Sequence, residues 1–215
     1  MTDLIDELNR VHRETSHRTI PAGDGRTVVL RRTYDAPIDD VWDAITTRER
    51  IERWFLPVSG DLKLGGTYQL EGNAGGDIVA CEPPRYLKIT WVFGENPTER
   101  DVGEVEVRLS SGGDGSTTLE LEHAAVVTDE WWKTYGPGAV GVGWDLTLIG
   151  LARHLDGHEI EDREAWPASP VARDFMTRCA QAWGAAMLAS GATEAEAAEA
   201  VRGTTSAYVP EIEEA

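Results

Sequence analysis

Cysteine is scarce and positive charge is in deficit in this chain of 215 residues. The two cysteines, Cys81 and Cys179, are too few for a disulfide framework, so we expect a reducing compartment, the cytoplasm. Twenty Lys and Arg residues face 38 Asp and Glu residues, which gives a formal net charge of −18. Because nucleic acids and anionic membrane surfaces attract basic protein surfaces, we expect neither as a partner.

Long apolar runs and targeting segments are also missing. No run approaches the roughly 18 apolar residues of a membrane-spanning helix. The N-terminal residues, MTDLIDELNR, lack the basic start and the apolar stretch of a signal peptide. Both absences indicate a chain that does not enter a membrane.

Metal and cofactor motifs are not found either. His154 and His158 have the i, i+4 spacing of two metal ligands on one helix face, but no third ligand accompanies them and Gly157 is expected to end the helix between them. CxxC, Walker and dinucleotide-binding patterns do not occur. We therefore predict no metal site and no cofactor.

Alternation with a period of two dominates the middle of the chain. The runs at 67–72, 76–82, 86–93, 103–110 and 116–123 each place apolar side chains on one side and polar side chains on the other. Glycine-rich and proline-containing turns separate these runs, and a further strand is expected at 27–34. The pattern predicts an antiparallel meander with one apolar face and one polar, solvated face that includes Glu104 and Glu106.

A helix at 138–156 is the predicted cover for the apolar face. Its stripe is Val140, Trp144, Leu148, Leu151 and Leu155. Two short helices are expected before Pro57. After an acidic linker at 159–168, Ser169 before Pro170 is the expected N-cap of a helix that runs to about 189. Thr193 and Glu196 form the expected capping box of a further helix, which ends near Gly203. The fold class is therefore α+β.

Five segments together resemble the START-like (SRPBCC) superfamily, and within it the family named after the activator of the heat-shock-protein-ninety ATPase. They are YDAPIDDVWDAITTRERIERWF (34–55), GGTYQLEG (65–72), CEPPRYLKITW (81–91), TTLELEHAAV (117–126) and GWDLTLIGLARHL (143–155). The resemblance divides the chain into an N-terminal segment (1–26), a START-like domain (27–158) and a helical C-terminal extension (159–215). It implies a helix-grip fold, in which a curved antiparallel sheet surrounds the long helix and leaves an apolar cavity.

The resemblance implies a binding protein for a hydrophobic, aromatic or lipid-like small molecule, held between the sheet and the long helix. Aromatic side chains suit this task because each contributes a large apolar surface and, in Tyr and Trp, a polar tip. Trp makes up 8 of the aromatic residues, against 5 Tyr and 3 Phe. The predicted ligand-binding residues are Trp54, Tyr68, Trp91, Phe93, Leu121, His123, Trp132, Trp144 and Leu148.

Two alternatives to small-molecule binding remain open at this stage. His123 or Asp145 would be the acid or base of a cyclase-like or hydrolase-like enzyme that uses the same cavity. The competing interpretation places His123 in the core beside a backbone carbonyl, and Asp145 on a helix flank that faces water or an arginine. As a third possibility, the chain is an interaction module, linked to a chaperone or self-associating. An apolar stripe in the C-terminal extension, Val171–Phe175–Cys179–Trp183–Met187, would then form a homodimer interface.

Overall fold

An antiparallel sheet of eight strands forms the centre of the computed structural model, which describes residues 4–94, 97–98, 101–158 and 165–210. In chain order the strands are β1 (His12–Ile20), β2 (Gly23–Tyr34), β3 (Val58–Gly60), β4 (Thr67–Leu70), β5 (Gly75–Glu82), β6 (Tyr86–Val92), β7 (Val102–Ser111) and β8 (Thr117–Ala125). Their order across the sheet is β1-β2-β8-β7-β6-β5-β4-β3. The predicted meander is confirmed, because β3 to β8 follow one another in the sheet as they do in the chain.

Seven α-helices accompany the sheet within the described residues. They are α1 (Leu4–Asn9), α2 (Ile38–Thr46), α3 (Arg48–Trp54), α4 (Asp129–Tyr135), α5 (Gly138–Leu155), α6 (Pro170–Ala189) and α7 (Glu194–Tyr208). The predicted cap of α6 is confirmed, since the Ser169 side chain accepts a hydrogen bond from the Ala172 amide. Thr193 and Glu196 form the predicted capping box of α7.

The long helix α5 packs on the apolar face of the curved sheet, as the helix-grip prediction requires. Leu148 and Leu151 of α5 are buried in one core with Leu119 and Leu121 of β8. The Tyr34 hydroxyl donates to the Leu148 carbonyl oxygen at 3.2 Å and so fixes the helix to β2. The α+β helix-grip architecture is confirmed.

Strand β1 was missing from the sequence prediction, which begins the sheet at residue 27. It pairs with β2 along its whole length, from His12 opposite Arg31 to Ile20 opposite Gly23. Its sequence, HRETSHRTI, has almost no apolar alternation, and only Ile20 is buried. Backbone hydrogen bonds and ion pairs hold such an edge strand, and neither leaves a hydrophobic pattern to detect. The sheet therefore begins inside the segment 1–26.

The polar face of the sheet is less solvated than the alternation predicts. Glu104 and Glu106 of β7 are each 6% exposed. Arg18 of β1 and Lys88 of β6 each lie 2.9 Å from the Oε2 atom of Glu104. The expectation of exposed glutamates is wrong because β1, which the prediction lacked, brings a long cationic side chain over them.

The C-terminal helices pack on the same chain. Helix α6 contacts α5, α7 and β1, and its stripe residues Phe175, Cys179, Trp183 and Met187 are buried there, whereas Val171 is 59% exposed. Helix α7 continues five residues beyond the predicted end at Gly203, to Tyr208. The stripe that motivated the homodimer is thus occupied within the chain, and the homodimer stays a prediction.

Two further expectations concern the linker and membranes. Most of the predicted linker, residues 159–164, lies outside the described residues, and a short 3-10 turn at Trp166–Ala168 precedes α6. Among the helices described, none combines the length and the apolarity needed to cross a bilayer.

Candidate functional site

An apolar cavity of about 160 Å³ lies between the sheet, α5 and the helix pair α2–α3. We call it the inner cavity. It is lined by Ile45, Thr46, Ile51, Trp54, Phe55, Val58, Leu62, Lys63, Tyr68, Leu70, Ile78, Cys81, Leu87, Ile89, Trp91, Val105, Val107, Leu119, Leu121, Trp144, Thr147, Leu148 and Leu151. Period-two alternation in β6 to β8 and the stripe of α5 bring most of these side chains to one place.

The polar tips of three aromatic side chains in the inner cavity are bound to the protein. The Trp54 indole donates to the Ala44 carbonyl oxygen at 2.9 Å, and the Tyr68 hydroxyl donates to the Thr90 carbonyl oxygen at 2.8 Å. Burial raises the pKa of Tyr68, so its hydroxyl stays protonated and remains a donor. The Trp144 indole donates to His123. These rings therefore present their apolar surfaces, rather than their polar atoms, to the cavity.

A second space of about 650 Å³ adjoins the inner cavity, and we call it the outer cleft. It is lined by Trp54, Phe55, Leu56, Asn73, Trp91, Phe93, Asp101, Gly103, His123, Ala125, Val126, Val127, Trp131, Ala139, Val140, Gly143, Trp144, Leu146, Thr147 and Tyr208. Five residues line both spaces: Trp54, Phe55, Trp91, Trp144 and Thr147. A mainly aromatic wall is thus common to the two spaces.

An aromatic cluster is centred on this shared wall. Trp91 and Trp144 belong to the wall, and His123 lies beside them in the outer cleft. The two indole rings lie 5.0 Å apart, and the imidazole lies 5.7 Å from Trp91 and 5.9 Å from Trp144, measured between ring centroids. The Trp144 indole nitrogen donates to Nδ1 of His123 at 3.0 Å. Burial lowers the pKa of His123 to about 4, so the imidazole is neutral at neutral pH. His123 is buried, as its core interpretation requires, but its observed partner is an indole donor and not a backbone carbonyl acceptor.

Asp145, the other candidate acid or base, lines neither the inner cavity nor the outer cleft. Its carboxylate is bound by Arg13 of β1 at 2.8 Å and by the Trp183 indole of α6 at 2.9 Å. Only 2% of the residue is exposed, and burial raises its pKa while Arg13 opposes this shift. The expectation of a water-facing flank is wrong, and that of an arginine partner is confirmed. The position indicates a structural role.

The structure brings most of the predicted binding residues together. Trp54, Tyr68, Trp91, Leu121, Trp144 and Leu148 line the inner cavity, and His123 lines the outer cleft. Phe93 is 65% exposed at the rim of the outer cleft, because β6 ends at Val92 and side chains beyond it no longer alternate between the two faces of the sheet. Trp132 lines neither space. It belongs to α4, and the Arg26 guanidinium lies 4.9 Å from the centroid of its ring.

Sequence reasoning missed several wall residues. Phe55 stacks on Trp54 with ring centroids 5.6 Å apart, and it borders both spaces. Its position directly after the second of the two short helices predicted before Pro57 was a usable signal. Tyr208 of α7 also borders the outer cleft, beside Gly143 of α5. Nothing in the local sequence of Tyr208 relates it to a residue so much earlier in the chain.

Comparison with solved structures finds a close likeness. CalU16 from Micromonospora echinospora is 40% identical, and its crystal structure superposes with a TM-score of 0.67 over 83% of this chain and 98% of that chain. PFC0360w, an HSP90 activator from Plasmodium falciparum, has 21% identity and a TM-score of 0.52 over 61% of this chain and 96% of that one. DynU16, a putative protein in the dynemicin biosynthetic locus, has 24% identity and a TM-score of 0.54 over 62% of this chain and 48% of that one. The last two show the shared fold alone.

Comparison with curated proteins gives no match. The comparison with protein families gives one matching family. Its sequence pattern covers the helix pair α2–α3, strands β3 to β8 and the long helix α5. It is described as Activator of Hsp90 ATPase homolog 1-like protein, and it matches residues 35–156. Since this match spans more than half of the chain, the protein belongs to the family of Activator of Hsp90 ATPase homolog 1-like proteins.

Proposed function

We propose that this protein binds a hydrophobic small molecule, aromatic or lipid-like, whose apolar part occupies the inner cavity. The observation that carries the proposal is an apolar space of about 160 Å³ between the sheet and α5. A packed protein core leaves few voids larger than a water molecule, because lost contacts are costly. An engineered cavity of about 150 Å³ in another protein stays dry and takes up benzene, so this space is large enough for one aromatic ring.

The size of the inner cavity limits the affinity that it provides alone. Apolar burial contributes about 25 cal/mol per Å², and association costs at least about 4 kcal/mol in lost freedom. A ligand confined to the inner cavity therefore binds weakly. Since Trp91 and Trp144 border both spaces, we infer that a larger ligand extends past them into the outer cleft and gains further contact area there.

Binding is favoured over catalysis by the state of the two candidate acid–base residues. A general base needs a free lone pair within reach of the substrate proton. In His123 the Nδ1 lone pair is used by Trp144, and in Asp145 the carboxylate is used by Arg13 and Trp183. The interaction-module alternative loses its main support, because the apolar stripe of α6 packs within the chain.

The test measures uptake of benzene, toluene, indole and naphthalene by the wild-type protein, through tryptophan emission and melting temperature. Val107→Phe is the blocking variant, since Val107 is buried and lines the inner cavity. Val79→Phe is the matched control, because Val79 is 49% exposed on β5 and lines neither space. We expect binding to at least one compound in the wild type and in Val79→Phe, and its loss in Val107→Phe.

Two results would contradict the proposal. One is a wild-type protein whose emission and melting temperature respond to none of the four compounds. The other is a folded Val107→Phe variant that binds them as tightly as the wild type, because the compounds would then bind elsewhere.

A further inference from the structure

His123 carries a single hydrogen-bond donor whose position is fixed by Trp144. The residue lies on β8, opposite Val105 of β7. An indole N–H is only a donor, so the Nδ1 atom that accepts it at 3.0 Å carries no hydrogen and uses its lone pair in this bond. The hydrogen of the neutral ring is therefore on Nε2. Trp144 sets both the tautomer and the direction of the ring.

The Nε2 atom lies beside a residue that lines the outer cleft. Its neighbour there is Gly103 of β7, where a Cβ atom, if the residue had one, would stand only 3.2 Å from Nε2. Gly103 and His123 both line the outer cleft, and glycine has no side chain that would cover the nitrogen. In the part of the chain that the structure describes, Nδ1 alone of the two ring nitrogens has a hydrogen-bond partner.

A donor of this kind is normally paired with protein, water or ligand. In the described part of the chain Nε2 is not among the fully buried side-chain atoms that lack a partner, so its N–H is open to an acceptor in the cleft. His123 is 6% exposed. The acceptor that suits it is a neutral oxygen rather than a carboxylate. Asp101 lines the same cleft, and its carboxylate, held by the Thr98 amide at 2.8 Å, repels an anion, as does the net charge of −18.

We propose that Nε2 of His123 donates a hydrogen bond to a carbonyl oxygen of the ligand. The site then takes neutral molecules that join an apolar ring to a carbonyl group, such as aryl ketones. The ring occupies the inner cavity against Trp91 and Trp144, and the carbonyl group reaches past them into the outer cleft. This inference rests on the proposed function, since it presupposes that the inner cavity binds the apolar part.

The experiment compares two probes of nearly the same shape, acetophenone and α-methylstyrene. Acetophenone has a C=O group where α-methylstyrene has a C=CH2 group, so only the first accepts a hydrogen bond of ordinary strength. Their dissociation constants are measured with the wild type, His123→Asn and His123→Gln by following the indole N–H resonances. The Asn variant keeps an acceptor for Trp144 but withdraws the donor from the cleft. The Gln variant places an amide N–H close to the position of Nε2.

We expect the wild type to favour acetophenone relative to α-methylstyrene about 3- to 10-fold more than His123→Asn does, and His123→Gln to recover part of this preference. The carbonyl stretching band of acetophenone bound to the wild type should lie at lower frequency than in a hydrocarbon solvent. Bound to His123→Asn, it should return to the hydrocarbon value. A purely structural role of His123 would not move this band.

The outcomes separate the two proposals. If neither probe binds the wild type, the proposed function fails, and this inference with it. If α-methylstyrene binds but the preference is equal in the wild type and His123→Asn, the inference alone fails. The same holds if the band of acetophenone bound to the wild type matches the hydrocarbon value, a measurement that decides the question even where the Asn variant does not fold.

Discussion

Asp145 joins three parts of the chain at one buried point, and its charge can be removed with little change of shape. The carboxylate on α5 receives Arg13 from β1 and Trp183 from α6. The Arg13 side chain is itself only 7% exposed, so Asp145→Asn leaves a guanidinium in the interior with the Leu8 and Val11 carbonyl oxygens as its remaining partners. Removing one partner of a buried ion pair costs about 3–5 kcal/mol.

The expected result is a large loss of stability in Asp145→Asn, measured by urea unfolding and by thermal melting at neutral pH. For a domain of about 200 residues, 1 kcal/mol corresponds to about 2–4 °C, so the midpoint should fall by about 6–20 °C. Asp43→Asn is the matched control, because its partner Arg50 lies 3.0 Å away but the Asp43 side chain is 52% exposed. Exposed pairs contribute about 0–1 kcal/mol.

A double variant tests the cause. In Arg13→Met with Asp145→Leu both charges leave the interior, so most of the lost stability should return. A melting midpoint of Asp145→Asn within about 2 °C of the wild type would refute the assigned role of this ion pair. A double variant no more stable than the single one would refute it as well, because the uncompensated guanidinium would then not be the source of the loss.

Two further predictions concern packing and pH. Gly141→Ala should lower the free energy of unfolding by about 1–3 kcal/mol, because the new Cβ atom overlaps the Trp183 ring. This loss outweighs the better helix propensity of Ala. Gly113→Ala, whose Cβ atom has no neighbour within 4 Å, is the control and should be neutral in the same urea titration. Since burial lowers the pKa of His123 to about 4, against about 6.5 in an unfolded chain, protonation favours unfolding. Stability should thus fall as pH falls from about 6.5 to about 4, and urea midpoints of His123→Gln should fall less over that window; parallel curves would contradict this assignment.

The sheet and the long helix could be predicted because their apolar patterns are local. Strands β7 and β8 alternate strictly, and the stripe of α5 recurs every three or four residues, so each predicted its own buried face. Strand β1 left no such pattern, because its side chains bind charges on other strands. The burial of Glu104 and that of Asp145 both depend on side chains of β1, Arg18 and Arg13, so both were missed for the same reason.

The candidate site could be predicted only in part. The alternation of apolar residues predicts which face an aromatic side chain takes, as it does for Tyr68 on β4 and Trp91 on β6. The hydrogen bond from Trp144 to His123 joins residues 21 positions apart on different elements, and its existence depends on how closely α5 approaches β8. Phe93 shows the opposite limit, since the alternation of the sequence continues beyond the residue where β6 ends.

Trp144 and Asp145 are neighbours in sequence, and they show how α5 serves two layers at once. Consecutive residues on a helix point about 100° apart, so Trp144 faces the aromatic cluster while Asp145 faces β1 and α6. The C-terminal extension is thereby packed on the back of the helix that forms the site.

The C-terminal extension also reaches the site itself, because the Tyr208 hydroxyl donates to the Ala139 carbonyl oxygen at 2.7 Å and Tyr208 lines the outer cleft. The family match ends at residue 156, so part of the cleft wall comes from outside the family pattern. We therefore expect the extension to influence which ligands the outer cleft accepts, whereas the inner cavity depends on the shared fold.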